Sequence, residues 1–152
     1  MSAATMLGDL SAASPPRLGD LLVSKGYITD DQLAAALVES RQSGERVGRV
    51  LITQRLVFES DLARTLSEQW GLPYVNISGV GVDGAALRLL PREVGLEHAA
   101  VPVRFLADGA VQVAFADPTD EESVAAVKEH IPTAQTAVAE YSDIATAWRN
   151  AG

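Results

Sequence analysis

The chain of 152 residues contains no cysteine and only two histidines. The absence of cysteine excludes disulfides, thiolate metal ligands and cysteine nucleophiles, and neither His98 nor His130 has a partner at metal-ligand or catalytic spacing. No apolar run approaches the roughly 18–20 residues of a membrane-spanning helix. Residues 1–16 also lack the basic and apolar segments of a secretory signal. We therefore expect a cytoplasmic chain without direct membrane insertion.

Basic residues are scarce, since the chain has 12 lysines and arginines against 20 aspartates and glutamates, for a net charge of −8. General nucleic-acid binding needs a basic surface that neutralises phosphates, so we expect no nucleic-acid partner. A local basic pocket for one small anionic ligand remains compatible with this charge. The hydrophobic content of 47% is that of a globular chain.

Catalytic signatures are missing as well. The sequence has no G-x-x-x-x-G-K-[ST] phosphate loop, no H-E-x-x-H and no Ser–His–Asp order, so we expect neither an enzyme nor a cofactor. The acidic residues at 117, 120, 121 and 122 are a conceivable metal site. The alternative is stronger, because carboxylates at the start of a helix complement its dipole. We therefore predict no metal.

The chain contains a tandem repeat. Residues 17–40 and 46–69 align with an offset of 29 (46 − 17), and seven of the 24 positions are identical. Both copies begin with Arg-x-Gly, which chance matching of apolar residues does not easily produce. The identical pairs are Arg17/Arg46, Gly19/Gly48, Leu22/Leu51, Leu33/Leu62, Ala34/Ala63, Leu37/Leu66 and Glu39/Glu68.

Each copy of the repeat predicts two short helices. In the first copy, Gly26 ends one helix, and Thr29 with Gln32 forms a capping box for the next. In the second copy, Arg55 replaces the glycine and Phe58 replaces the threonine. We expect one of the two residues after Phe58 to take part in that cap.

The predicted fold class is α+β. We expect a flexible leader over residues 1–15, a four-helix tandem-repeat subdomain over 16–72, and a small α+β subdomain with an antiparallel-type sheet over 73–152. In the last part, Ala-Asp-Gly between two β-rich segments is a hairpin signal. The elements expected there are strands at Tyr74–Ile77, Val101–Leu106, Ala110–Ala116 and Thr133–Glu140, helices over 83–97 and Asp117–His130, and a terminal helix capped by Ser142.

These residues carry a resemblance to a known family. RLGDLLVSKGYITDDQLAAAL at 17–37 and RVGRVLI at 46–52, continued by the leucines and Gln69 of the second copy, are similar to the repeats of the MshEN domain. That domain is the N-terminal domain of type II secretion and type IV pilus assembly ATPases. The resemblance continues through GLPYV at 71–75, LLP at 89–91, VPV at 101–103 and VAFADPTD at 113–120.

The resemblance implies a ligand, because many members of that family bind cyclic di-GMP. This ligand has two identical guanylate halves, which suits two similar half-sites, and an arginine can read guanine O6 and N7 with two hydrogen bonds. The first implied half-site is Arg17, Leu18, Gly19, Leu33, Leu37 and Ser40. The second is Arg46, Val47, Gly48, Leu62, Leu66 and Gln69, with Asp117 as a candidate to orient an arginine.

The repeat departs from the family pattern at three positions. Ser40 stands where Gln69 stands in the other copy, Val47 replaces a leucine and Arg55 replaces a glycine. The implied function is a cyclic di-GMP-binding regulatory module that contacts a secretion or pilus ATPase domain or an inner-membrane platform protein. The alternative is a docking adaptor that contacts such an assembly without binding a nucleotide.

Overall fold

The structure, a computed structural model, describes residues 18–151, so that the predicted leader and Arg17 lie outside the described part. The chain divides into two units, one ending at Val57 and the next beginning at Phe58. This boundary falls inside the second repeat, whereas the boundary predicted from the sequence lies at residue 72. Within residues 18–151 the chain forms nine helices and three strands, which confirms the α+β class.

The first unit contains three described helices: α1 (Leu18–Ser24), α2 (Asp30–Ser43) and α3 (Val47–Thr53). The predicted capping box is confirmed at α2. Thr29 Oγ1 accepts the Gln32 amide at 3.1 Å, and Gln32 Oε1 accepts the Thr29 amide at 2.9 Å. Gly44 ends α2 in the left-handed region, with φ of 81°. The apolar core of this unit is Leu18, Leu21, Leu22, Ile28, Leu33, Ala36, Val50, Leu51 and Val57.

The repeat is visible in the turns that follow α1 and α3. Gly26 and Arg55 both lie in the left-handed region, with φ of 82° and 63°. The turn hydrogen bonds, all 3.0 Å long, run from Gly26 N to Val23 O, Tyr27 N to Leu22 O, Arg55 N to Ile52 O and Leu56 N to Leu51 O. The second copy therefore keeps the turn geometry although it lacks the glycine that adopts it without strain.

The second unit begins with α4 and continues as a mixture of helices and strands. Its elements are α4 (Glu59–Trp70), α5 (Ile77–Val80), α6 (Gly84–Leu87), α7 (Arg92–His98), β1 (Ala100–Phe105), β2 (Val111–Phe115), α8 (Glu121–His130), β3 (Ala134–Val138) and α9 (Tyr141–Asn150). Within residues 18–151, no helix is both long enough and apolar enough to span a bilayer.

The three strands form one sheet in the order β1-β2-β3. The predicted hairpin is confirmed, since β1 and β2 pair antiparallel. The expectation of an antiparallel sheet is wrong at its other edge, where β2 and β3 pair in parallel. The reason is that α8 carries the chain back across the sheet, a connection that makes neighbouring strands parallel. The predicted strand at Tyr74–Ile77 shrinks to a single bridge between Tyr74 and Val138.

Two predicted helix caps differ from the structure. Phe58 precedes α4 and, within the described residues, neither its side chain nor that of Glu59 or Ser60 caps that helix. Glu59 Oε1 instead accepts the backbone N–H of Ser142 at 2.7 Å, in the first turn of α9. Ser142 is not the cap of α9, because this helix begins at Tyr141 and the residue at its cap position is Glu140.

Trp148 is a buried aromatic residue of the second unit that joins three of its elements. Its indole Nε1 donates to the Ala100 carbonyl at 2.8 Å, which joins α9 to β1. The ring also lies against Gly95 of α7, where an added Cβ would clash with Trp148 Cζ2. Glycine at 95 is therefore required by the approach of the indole, and not by a turn.

Candidate functional site

Gly19, at the start of the first repeat, is packed against Leu33. A Cβ placed on Gly19 would lie 2.5 Å from Leu33 Cδ1, and Leu18, Gly19 and Leu33 are all buried. This contact brings α1 close to α2. It accounts for a glycine at position 19 through packing within the chain, whereas the resemblance places Gly19 in the first half-site.

Leu37 lies one turn beyond Leu33 on α2, yet 38% of its surface is exposed. Leucines four residues apart share a helix face, so Leu33 and Leu37 divide that face between core and solvent. Among the apolar residues of the first predicted half-site that the structure describes, Leu37 is the exposed one. The neighbouring Val38 is exposed as well.

Ser40 is partly exposed and already engaged. Its hydroxyl donates to the backbone carbonyl of Glu45, the residue before Arg46. Ser40 also accepts the Gly44 amide through its own carbonyl at 2.9 Å. The side chain that the repeat aligns with Gln69 therefore contacts the chain between α2 and α3.

Arg46 and Val47 stand at the start of α3 and are partly exposed, whereas Gly48 is buried. The backbone of Arg46 is extended, with φ of −67° and ψ of 147°, and its carbonyl accepts the first helical bond from Val50 at 3.0 Å. Arg46 therefore stands at the N-terminal end of α3, and its side chain is partly exposed.

The remaining members of the second predicted half-site belong to α4 in the second unit. Leu62 and Leu66 are core residues there, at 2% and 0% exposure. Gln69 is exposed in the last turn of α4, two residues before Gly71 ends the helix in the left-handed region. Of these three residues, only Gln69 presents polar atoms to solvent.

The acidic segment after β2 begins a helix, as predicted. Asp117 Oδ1 accepts the Thr119 amide at 3.0 Å and the Thr119 hydroxyl, which forms a tight turn. Asp120 caps α8 by accepting the Glu122 amide at 3.1 Å. Residues 18–151 contain no group of three histidine, cysteine or acidic side chains arranged for a metal.

His98 has a partner that the sequence did not reveal. Its Nδ1 lies 2.9 Å from the hydroxyl of Ser123, which in turn lies 3.0 Å from Asp120 Oδ2. Because the Ser123 hydroxyl donates its proton to the carboxylate, it accepts a hydrogen bond from the Nδ1–H group of His98. A nucleophilic serine needs the opposite arrangement, in which the histidine takes the hydroxyl proton. This partly buried link therefore joins α7 to α8.

Three carboxylates gather at the start of α9: Glu59, Glu140 and Asp143. Tyr74 Oη donates to Glu140 Oε2 at 2.7 Å. Burial, followed by this hydrogen bond, raises the pKa of Tyr74 to about 12. Burial and then the negative charges of Glu140 and Glu59 raise the pKa of Asp143 above its ordinary value of 3.8. The start of α9 is therefore crowded with negative charge.

Solved structures of two proteins share this fold. MshE, in a structure with cdg, is 28% identical, with a TM-score of 0.68, and the match covers 90% of this chain and 99% of that chain. The N-terminal domain of XpsE is 26% identical, with a TM-score of 0.69, and the match covers 88% and 92% of the two chains. These matches place the fold among N-terminal domains of the MshE and XpsE type.

The sequence model of the MshEN domain matches residues 70–151, and this chain therefore belongs to the MshEN domain family. The type IV pilus assembly ATPase PilB of Thermus thermophilus is 40% identical over 110 residues, which are 72% of this chain. The match covers 12% of PilB, so the chain corresponds to a small part of that protein. The predicted family membership is confirmed.

Proposed function

We propose that this chain is a cytoplasmic regulatory module of a type II secretion or type IV pilus assembly system, and that it binds cyclic di-GMP. The observation that carries the proposal is the structural match to MshE, which covers 90% of this chain. The MshE structure was solved with cdg, an abbreviation of cyclic di-GMP. The Arg-x-Gly repeat supplies the chemistry, since each copy offers one guanidinium for one guanine.

Several exposed or partly exposed side chains of the predicted half-sites each have the chemistry to contact part of such a ligand. Arg46 supplies a guanidinium at the entrance of α3, Leu37 supplies exposed apolar surface for a base, and Gln69 supplies an amide. The buried members, Leu18, Gly19, Leu33, Gly48, Leu62 and Leu66, act by shaping the helices that carry these groups. Arg17 completes the proposal as the counterpart of Arg46 in the first repeat.

Bound nucleotide would regulate the assembly through contacts of the module. A ligand shifts a conformational equilibrium only when it binds one state more tightly than another. We propose that cyclic di-GMP favours one arrangement of the module against an ATPase domain or an inner-membrane platform protein. No enzymatic step is assigned to this chain.

Titration calorimetry with cyclic di-GMP tests the proposal, with GTP and cyclic di-AMP as control ligands. We expect heat of binding with cyclic di-GMP alone. The Arg41→Ala variant is a matched control for charge, because Arg41 is an exposed arginine of α2 outside the predicted half-sites. It should bind as the wild type does. Absence of heat at ligand concentrations of hundreds of micromolar would refute the proposal.

The second candidate function is a docking adaptor that binds no nucleotide. It is favoured by the packing of Gly19 on Leu33 and by the burial of Leu66, because the chain's own core then explains these repeat residues. An adaptor would bind its ATPase or platform partner with the same affinity in the presence and absence of cyclic di-GMP. A pull-down with and without the nucleotide separates the two functions.

A further inference from the structure

The segment Gly44–Arg46, which we name the α2–α3 connector, is tied at each residue to a neighbouring helix. Gly44 N–H donates to the Ser40 carbonyl at 2.9 Å, and Glu45 N–H donates to Ser43 Oγ at 3.2 Å. The Glu45 carbonyl accepts the Ser40 hydroxyl. The Arg46 carbonyl accepts the Val50 amide at 3.0 Å. The connector is therefore held from both α2 and α3.

The bond donated by the Ser40 hydroxyl differs from the others in the group that it holds. It connects a side chain of α2 to the peptide group between Glu45 and Arg46, since the accepting carbonyl belongs to that peptide. The orientation of this peptide sets the direction in which the Arg46 side chain leaves the backbone. A longer side chain at position 40 would lose the geometry of this bond.

The same device ends α4 in the second repeat. Ser67 Oγ donates to the Leu72 carbonyl at 2.6 Å, and Gly71 N–H donates to the Ser67 carbonyl. Counted from the glycine that ends each helix, Ser40 corresponds to Ser67, with an offset of 27 (67 − 40). It does not correspond to Gln69. The residue that follows Leu72 is Pro73, so the matched bond of Ser67 positions no arginine.

We infer that Ser40 is a positioning residue for Arg46, and that it serves ligand binding through the α2–α3 connector without contacting the ligand. The inference rests on the proposed binding of cyclic di-GMP, in which Arg46 contacts a guanine. It differs from the expectation from the repeat alignment, in which Ser40 takes the place of the glutamine within the first half-site. The two readings predict opposite effects of a glutamine at position 40.

The test compares four variants of the full chain by calorimetric titration with cyclic di-GMP. Ser40→Ala and Ser40→Gln should each weaken binding by about 3- to 10-fold, the equivalent of one hydrogen bond. Ser40→Thr retains a hydroxyl and should bind within about 2-fold of the wild type. Ser67→Ala removes the matched bond at the end of α4 and should leave binding unchanged.

An indirect role also requires coupling to Arg46. In an Arg46→Ala background, Ser40→Ala should cause no further loss of affinity, because the residue that it positions is gone. Tighter binding by Ser40→Gln, wild-type binding by Ser40→Ala, or additive losses in the double variant would each overturn the inference.

Backbone relaxation by nuclear magnetic resonance separates this inference from the proposed function. In the ligand-free chain, Ser40→Ala should lower the order parameters of the Glu45 and Arg46 amides, whereas Ser67→Ala should not. If the wild type binds no cyclic di-GMP, the proposed function fails and this measurement still decides the positioning of Arg46. Unchanged order parameters in Ser40→Ala would overturn it.

Discussion

In α2 of the first repeat Leu37 is 38% exposed, whereas its counterpart Leu66 in α4 is fully buried. The two helices also begin differently. α2 begins with the capping box of Thr29 and Gln32, whereas α4 is supported by packing on β3 and by the bond of its Glu59 to α9. Tertiary contacts can replace local capping, because most helix stability in proteins comes from packing. The repeat therefore preserves the spacing of its leucines and not their environment.

The largest expected effect follows from the two leucines. Leu66→Ala should lower the free energy of unfolding by about 2–5 kcal/mol, because it empties a filled core position. Leu37→Ala should lower it by less than about 1 kcal/mol, since much of that side chain remains in water. Thermal or denaturant unfolding of both variants checks the contrast. Equal losses would show that the two helices do not differ as described.

The two tightly packed glycines extend the comparison to helix contacts. Gly95→Ala should lower the free energy of unfolding by about 1–3 kcal/mol, because its Cβ meets the Trp148 ring, which a hydrogen bond to Ala100 holds in place. Gly19→Ala should cost less, since its Cβ meets the end of the flexible Leu33 side chain. Chemical denaturation ranks the two. A larger loss for Gly19→Ala would contradict the assignment.

The arginines that begin the two repeats should be comparable in ligand binding. Arg17→Ala and Arg46→Ala should each weaken cyclic di-GMP binding by about 1–3 kcal/mol, the range for a bidentate arginine–guanine contact. Far-ultraviolet circular dichroism should stay unchanged, which confirms that the variants are folded. Normal binding by either variant would refute the two-half-site proposal.

The turns after α1 and α3 offer a reciprocal test. Arg55→Gly should raise the free energy of unfolding by about 0.5–1 kcal/mol, because glycine adopts positive φ without strain. Gly26→Arg should lower it by a similar amount, since a Cβ at Gly26 would meet no atom of residues 18–151 within 4 Å and only the backbone is strained. Denaturant midpoints of the two variants test these opposite effects. A gain of stability in Gly26→Arg would contradict the prediction.

The smallest effect concerns the negative charge at the start of α9. The pKa of Asp143 is raised, so the folded chain binds its proton more tightly than the unfolded chain. This contribution to stability is complete below pH 3.8 and is lost as the pH rises through the raised pKa. The free energy of unfolding of Asp143→Asn, relative to that of the wild type, should therefore be higher at pH 7 than at pH 3.5, by less than about 0.5 kcal/mol. A difference between variant and wild type that is the same at both pH values would contradict this account.

The features that could be predicted from the sequence are local ones. Thr29 and Gln32 stand three residues apart, so that their capping box follows from spacing alone, and the β1–β2 hairpin follows from its turn. The strand–helix–strand order around α8 also favours parallel pairing of β2 with β3, which our expectation of an antiparallel sheet does not take into account.

Contacts between distant residues could not be predicted in this way. Glu59 and Ser142 are separated by 83 positions, and His98 and Ser123 by 25, and no local pattern pairs them. The role of Gly19 depends on how closely α1 approaches α2, which the sequence does not specify. For Ser40, the alignment of the helix starts gave one counterpart and the helix ends give another.

The central claim is that the repeat residues bind cyclic di-GMP. Its most direct test is nuclear magnetic resonance of the labelled chain during titration with this nucleotide. The account predicts that the largest amide shifts fall in residues 37–48 and 62–70, while amides of β1 to β3 shift little. Saturable shifts concentrated in the sheet, or no shifts at hundreds of micromolar nucleotide, would contradict it.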